Sequence, residues 1–241
     1  MILTDKKIIE EIEKGTIKIE PYNPDYLGSN SYDCTLGKVL AVYLNGLTLE
    51  VFQIIAGLRP YCSKTMREYH EQCRKNPLDA AAPNPIVYFP IPENGITLYD
   101  QVFYLGASAE YTETHAHVPF IEGKSSTGRL SIDIHATAGK GDVGFCGYWT
   151  LEISVKQPVR VYKGMPIGQL IYFPVDGEVE TKYDAKKNAK YAGQGHLPKE
   201  SMMWKNKFFE NIRPLMSDKK LSPAQETVLA YSRQEFSECY N

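Results

Sequence analysis

Apolar positions recur at two different spacings along this chain, and the change of spacing marks the elements. In residues 4–14, Ile8, Ile9 and Ile12 share one helical face. Thr4 sits before that run as an N-cap, Asp5 lies in the first turn and Gly15 follows as a stop, so a short N-terminal helix is expected. Beyond it the spacing falls to two. Ile17 to Ile19 reads as a brief strand, Ser31 through Val42 as a longer extended run, and Ile86 to Phe89 and Val102 to Ala107 as further strands. Leu130 to Ala136 alternates, burying Leu130, Ile132 and Ile134 and turning Ser131, Asp133 and His135 the other way. Thr150 to Val155 alternates again, with Leu151, Ile153 and Val155 on one face and Thr150, Glu152 and Ser154 on the other. Val159 to Tyr162, a Lys163-Gly164 turn and Ile167 to Phe173 complete a series that favours an antiparallel barrel or sandwich.

Two stretches break this pattern. From about 45 to 85 an apolar run (Val51 to Leu58), a charged run of helical character (Ser63 to Lys75) and a Pro- and Ala-rich linker (79–85) read as a partly helical insertion. After residue 200 comes an extension. Its Ser222-Pro223-Ala224-Gln225 is a capping box with proline at the first helical position, which predicts a helix over 222–236. The organisation expected is one domain over 1–200, carrying the insertion, followed by the extension 201–241.

Composition narrows the function classes. Of 241 residues, 43% are hydrophobic and 23% charged, as in ordinary soluble globules. The net charge of −2 offers no global field for a nucleic-acid duplex, so a small-molecule ligand is expected. The N-terminus lacks the apolar core of a signal peptide and no run is long enough to span a membrane, which reads as cytoplasmic. The five cysteines are scattered without a CxxC pair, which argues against a disulfide framework and against a thiolate zinc site. His115 and His117 stand two apart with no further donor nearby in sequence.

The chemistry concentrates in Glu122 to Glu152. Gly123-Lys124-Ser125-Ser126-Thr127-Gly128-Arg129 reads as a polar loop whose cations, hydroxyls and glycines suit a phosphate-bearing ligand, or equally a solvated surface. It matches neither a Walker A sequence nor a GxGxxG fingerprint. Asp142 occupies a turn where aspartate is common for local reasons. Glu152 on its strand face is a general base if that face is enclosed, and an ordinary surface carboxylate if it is not.

Taken in order, the motifs resemble the dCTP deaminases of the trimeric dUTPase-like superfamily. They comprise the opening MILTDKKIIEEIEKG, Ser31-Tyr32-Asp33 through Leu36-Gly37, Phe103-Tyr104-Leu105-Gly106 with Glu110-Tyr111, and Gly123 to Leu130. His135 to Gly139, Gly144-Phe145, Leu151-Glu152, Gly164-Met165, Ile167 to Leu170 and Lys190 to Gln194 continue the series. The resemblance covers 1–43 and about 95–196. It implies a mainly β fold, a distorted β-barrel or jelly-roll-like assembly, and a homotrimer with active sites at subunit boundaries.

The resemblance also implies roles. Glu152 falls on the catalytic proton shuttle, and Ser125 and Arg129 on residues supporting the attacked water and that glutamate. Lys124, Ser125, Ser126, Thr127, Gly128 and Arg129, with Lys190 and Gln194, fall on positions holding the triphosphate. Asp142 falls at the deoxyribose, Thr150 and Leu151 at the base, and Gln169 and Tyr183 on further nucleotide contacts. The implied reaction is hydrolytic deamination of dCTP at C4 to dUTP and ammonia. Mg²⁺ would enter only with the triphosphate, and no zinc is expected, because the HxE and PCxxC signature of zinc deaminases is missing.

Departures from the family pattern matter too. Lys124 stands where arginine is usual, and Gly141-Asp142-Val143 where Ile-Asp-Pro is usual. Gly139 replaces a histidine of strictly deaminating members, and a glycine there also occurs in bifunctional relatives that go on to dUMP and pyrophosphate. That alternative therefore stays open beside the dUTP-forming reading, as do a dUTP diphosphatase and a non-catalytic nucleotide-binding module. Inhibition by dTTP is likewise left open.

Overall fold

The computed structural model describes residues 1–215 and 220–240, so residues 216–219 and 241 of the extension lie outside the described residues. Helix α1 (Asp5–Glu13) begins where the sequence places it, with Thr4 Oγ1 accepting from the Lys7 amide. The chain then alternates short strands: β1 (Ile17–Glu20), β2 (Tyr32–Tyr43), β3 (Ile86–Pro90), β4 (Ile96–Leu98), β5 (Tyr104–Ser108), β6 (Tyr111–Thr114) and β7 (His117–Gly123). After these come β8 (Ile132–Asp133), β9 (Phe145–Gly147), β10 (Thr150–Val155), β11 (Val159–Val161) and β12 (Pro166–Pro174). Three further helices, α2 (Leu49–Ile55), α3 (Ser63–Lys75) and α5 (Pro223–Glu235), carry the insertion and the extension, and a single turn α4 (Ser125–Arg129) lies between β7 and β8.

The strands assemble into a nearly closed, mainly β barrel-like fold. One sheet runs β7-β12-β2-β5-β10-β8 with β3 also on β2, a second runs β1-β6-β9, and β4 pairs β11. Every pair is antiparallel. The twelve-residue β2 is long enough to serve two neighbours in turn: Tyr32 to Thr35 face β12, while Val39 to Tyr43 pair β3 and β5. Alternation along β10 sends Leu151, Ile153 and Val155 into the core, leaving Thr150, Glu152 and Ser154 half-buried on the opposite face.

One carboxylate sits inside this core and is well supplied with donors. The buried Glu110 carboxylate accepts from the Thr35 amide (2.9 Å) and hydroxyl (2.6 Å) and from the Cys34 thiol (3.3 Å), so the charge is spread over three donors. Burial pushes the Cys34 thiol well up, in keeping with a small buried hydrophobe.

The structure corrects the sequence reading in two places. Residues 125–129 form a helical turn rather than a loop, with the Thr127 hydroxyl capping it from inside by accepting from the Lys124 amide (3.1 Å) and donating to the Lys124 carbonyl (2.8 Å). The strand expected over Leu130 to Ala136 shrinks to Ile132–Asp133. Its alternation breaks because Ser131 takes the left-handed conformation (φ 63°) that ends the α4 turn, which leaves Leu130 46% exposed rather than buried.

The insertion and the extension meet each other. α5 packs on α2 and β3, Phe52 on α2 makes edge contacts with Tyr231 and Phe236, and Gln225 Nε2 donates to the Leu44 carbonyl. Val228 is fully buried in the same core as the barrel. No described helix is long and apolar enough to cross a membrane.

Candidate active site

A cavity of about 390 Å³ opens where β10 meets the turn 138–145 and the segment after Tyr191. Glu152 lines it. The pleat of β10 presents this carboxylate, and the preceding segment fixes it: the Ala136 amide donates to Glu152 Oε2 at 2.7 Å, while the Glu152 amide donates to the Ile134 carbonyl at 2.8 Å. Among the described residues Oε1 has no protein partner. One oxygen is thereby held and the other left for a ligand.

Around Glu152 the cavity gathers several sequence-predicted residues: Asp142, Thr150, Tyr183 and Gln194. Asp142 accepts from Lys140 Nζ at 2.6 Å, a contact that partly neutralises it at the rim. The Tyr183 hydroxyl accepts from the Tyr191 amide (3.0 Å), and its ring lies 6.3 Å from that of Phe145. Gln194 pairs with Gly147 as a one-residue strand extension, and its side chain donates to the Thr150 hydroxyl. Leu151, by contrast, points into the core and is fully buried, so only its backbone is available to a ligand.

Two glycines in the turn are demanded by contact. A Cβ on Gly139 would stand 2.2 Å from the Ile121 carbonyl oxygen, and one on Gly141 would stand 2.8 Å from the Trp149 ring. Gly139 also receives the Ile121 amide on its own carbonyl at 2.7 Å. The turn can therefore pass between β7 and the indole only without side chains.

The remaining predicted residues lie outside this cavity. None of Lys124, Ser125, Ser126, Thr127, Gly128 and Arg129 lines it, nor do Gln169 and Lys190. Lys124 Nζ is bonded to Asp33, and Gln169 Nε2 reaches the Gly123 carbonyl (3.4 Å) while its Oε1 accepts from the Ser31 hydroxyl (3.3 Å). Thr127 is buried, and its hydroxyl is engaged by its capping bonds and by the Ile167 carbonyl (3.3 Å). Ser125, Ser126, Gly128 and Arg129 are exposed on α4.

Sequence reasoning missed one wall of the cavity. Lys199, Glu200 and Ser201 line it, on a segment seated by four hydrogen bonds. The Tyr88 hydroxyl donates to the Pro198 carbonyl (3.2 Å), and the Lys199 amide donates to the Thr150 hydroxyl (3.1 Å). The Ser201 amide donates to the Tyr43 hydroxyl (3.1 Å) and the Met202 amide to the Tyr191 hydroxyl (2.9 Å). Burial, with the nearby charges of Glu200 and Glu152 among the lesser causes, pushes the Tyr43 hydroxyl up. Only the run of tyrosines at 43, 88 and 191 hinted at this, and its meaning depends on long-range packing.

The arrangement can hold a planar polar ring against Thr150 and Glu152, between aromatic side chains, with a carboxylate placed for proton transfer. The chain is similar to several known proteins. A curated protein of Leptospira biflexa named "dCTP deaminase, dUMP-forming" is 41% identical over 207 residues, which cover 86% of this chain and 98% of that one. Another of that name, from Clostridium botulinum, is 37% identical over 206 residues, covering 86% and 98%. The crystal structure of 2'-deoxycytidine 5'-triphosphate deaminase from Agrobacterium tumefaciens aligns with a TM-score of 0.49 at 19% identity, over 74% of this chain and 49% of that one. The family model described as dCTP deaminase-like matches residues 2–54 and 60–175, and with that span the chain belongs to the dCTP deaminase-like family.

Proposed function

We propose that this chain converts dCTP and two waters to dUMP, ammonia and pyrophosphate, as a bifunctional dCTP deaminase and dUTP diphosphatase. The relatives' names favour this product over the dUTP expected from the sequence, and Gly139 is compatible with it. The observation that carries the deaminase half is Glu152 in the cavity, held through one oxygen by the Ala136 amide and free at the other.

In this reading Glu152 takes a proton from water as the water adds to C4 of cytosine. It then returns that proton to the amino group, and ammonia leaves the tetrahedral intermediate. Thr150 and the backbone of Leu151 face the base, Asp142 the deoxyribose, and Tyr183 and Gln194 close the nucleotide in. The reading takes this water as activated without zinc, since the chain lacks the HxE and PCxxC signature of zinc deaminases. The diphosphatase half breaks the bond between the α-phosphorus and its bridging oxygen, with water adding and pyrophosphate leaving. Mg²⁺ would neutralise charge on the triphosphate.

Ser125 and Arg129, with Lys124, Ser126, Gly128 and Gln169, complete the site from a second copy of the chain, and Lys190 joins them at the triphosphate. The support is their place outside the Glu152 cavity, with Ser125, Ser126, Gly128 and Arg129 exposed on α4. A homotrimer satisfies this, since each boundary then receives α4 from one copy and β10 from the next.

The variant Glu152→Gln keeps size and hydrogen bonding but cannot accept a proton. It is expected to lower dCTP turnover by at least about a hundredfold while leaving nucleotide affinity by calorimetry nearly unchanged. Wild-type turnover in that variant would remove Glu152 from the mechanism.

A further inference from the structure

Away from the Glu152 cavity, strand pairing brings together three side chains that are far apart in sequence. Glu113 and His115 stand two residues apart at the end of β6, hence on one face. The β6–β9 register sets Cys146 directly opposite Glu113. One donor atom from each lies within 4.8 Å of the others, and His115 Nε2 is 2.8 Å from Glu113 Oε2. All three side chains are half-buried, and none of them lines the cavity, although Phe145 and Tyr148 on either side of Cys146 do. Glu113 and His115 are close in sequence, whereas the third donor comes from a strand about thirty residues on.

We propose that Glu113, His115 and Cys146 form a binding site for a thiophilic divalent cation, Zn²⁺ in the first place. A sulfur, an imidazole nitrogen and a carboxylate oxygen make the mixed donor set that tetrahedral zinc accepts, with water in the fourth position, whereas Mg²⁺ and Ca²⁺ prefer oxygen alone. Zinc ligands stand roughly 3.3–3.8 Å from one another at ordinary bond lengths, so side-chain adjustment of about an ångström closes the set. Lys18 Nζ lies 3.6 Å from the other carboxylate oxygen, Oε1, and 3.2 Å from Glu20, so it sits beside the cluster while Oε2 remains turned to His115. That placement orients the carboxylate as an outer-shell partner does. Glu20 and Asp184 add negative charge around the site.

Such an ion would clamp β6 to β9. The Cys146 carbonyl accepts from the Gly193 amide and the next residues pair with Gln194, so the clamp would brace the strand on which the cavity's tail is seated.

The test uses the full chain, stripped with a chelator and titrated with Zn²⁺ alone against a chromophoric competitor. Co²⁺ is substituted in parallel to read thiolate-to-metal charge transfer. One equivalent per chain is expected. His115→Gln and Cys146→Ser should each weaken binding by roughly tenfold or more, Cys146→Ser should abolish the cobalt–thiolate band, and Cys62→Ser, at an exposed thiol elsewhere, should change neither. The metal-free unfolding midpoint shows whether each variant is folded, and if Cys146→Ser is not, His115→Gln decides. No stoichiometric binding by the wild-type chain, or unchanged affinity in the folded variants, overturns the site. Because the readout is metal binding, its failure leaves the nucleotide reading untouched.

Discussion

Glu152 shows what a single position can disclose. Its strand alternates with period two, so the sequence places Glu152 on the face opposite Leu151 and Ile153, and the structure puts it there. What the alternation could not reveal is the Ala136 amide that holds it, because Ala136 arrives through the irregular stretch after Ser131 rather than along a regular strand. Gly139 has a similar history: its identity was visible, and its reason is the Ile121 carbonyl, which leaves no room for a Cβ. Gly139→Ala is therefore expected to cost about 1–3 kcal/mol in denaturant unfolding, and to slow turnover by shifting the segment that carries Ala136 and Ala138. An alanine variant as stable and as active as wild type would show that the turn yields without consequence.

At the scale of elements, α1 was legible through its cap and period, but its buried charge was not. Glu11 reaches inward and accepts from the Thr16 hydroxyl, from Lys14 Nζ (2.9 Å) and from Lys7 Nζ (3.0 Å), which hold its carboxyl down at about 2, below the usual 4.5. The Thr16 bond is the largest cause, and burial opposes it. A lowered folded value means that Glu11 contributes its full stabilisation above about pH 4.5 and loses it as pH falls towards 2. Urea unfolding of wild type and Glu11→Gln should differ most near neutral pH and converge between about pH 4.5 and 2; a gap that is constant with pH would contradict the assignment. α4 was misread as a loop and its successor as a long strand, because one αL residue, Ser131, overrides an otherwise regular alternation. α5 was legible from its capping box, yet its seat on α2 was not, since no local pattern encodes which distant face a helix covers.

For the molecule as a whole, the predicted site divides into two groups on one chain. Asp142, Thr150, Glu152, Tyr183 and Gln194 surround the cavity, while α4 lies elsewhere. If a second copy supplies α4, chains carrying Glu152→Gln and chains carrying Arg129→Ala, each inactive alone, should regain activity when unfolded together and refolded as a mixture. In an equimolar mixture roughly a quarter of the boundaries pair an intact Glu152 with an intact Arg129, so recovery near that fraction is expected. Mixtures as inactive as their parents would place the whole site within one chain. The most direct measurement on the whole account is the product of dCTP in the presence of Mg²⁺, resolved by chromatography over the time course. The account predicts dUMP and pyrophosphate in equal amounts with ammonia, and no build-up of free dUTP. Accumulating dUTP would contradict the second half of the reaction, and unchanged dCTP would contradict both.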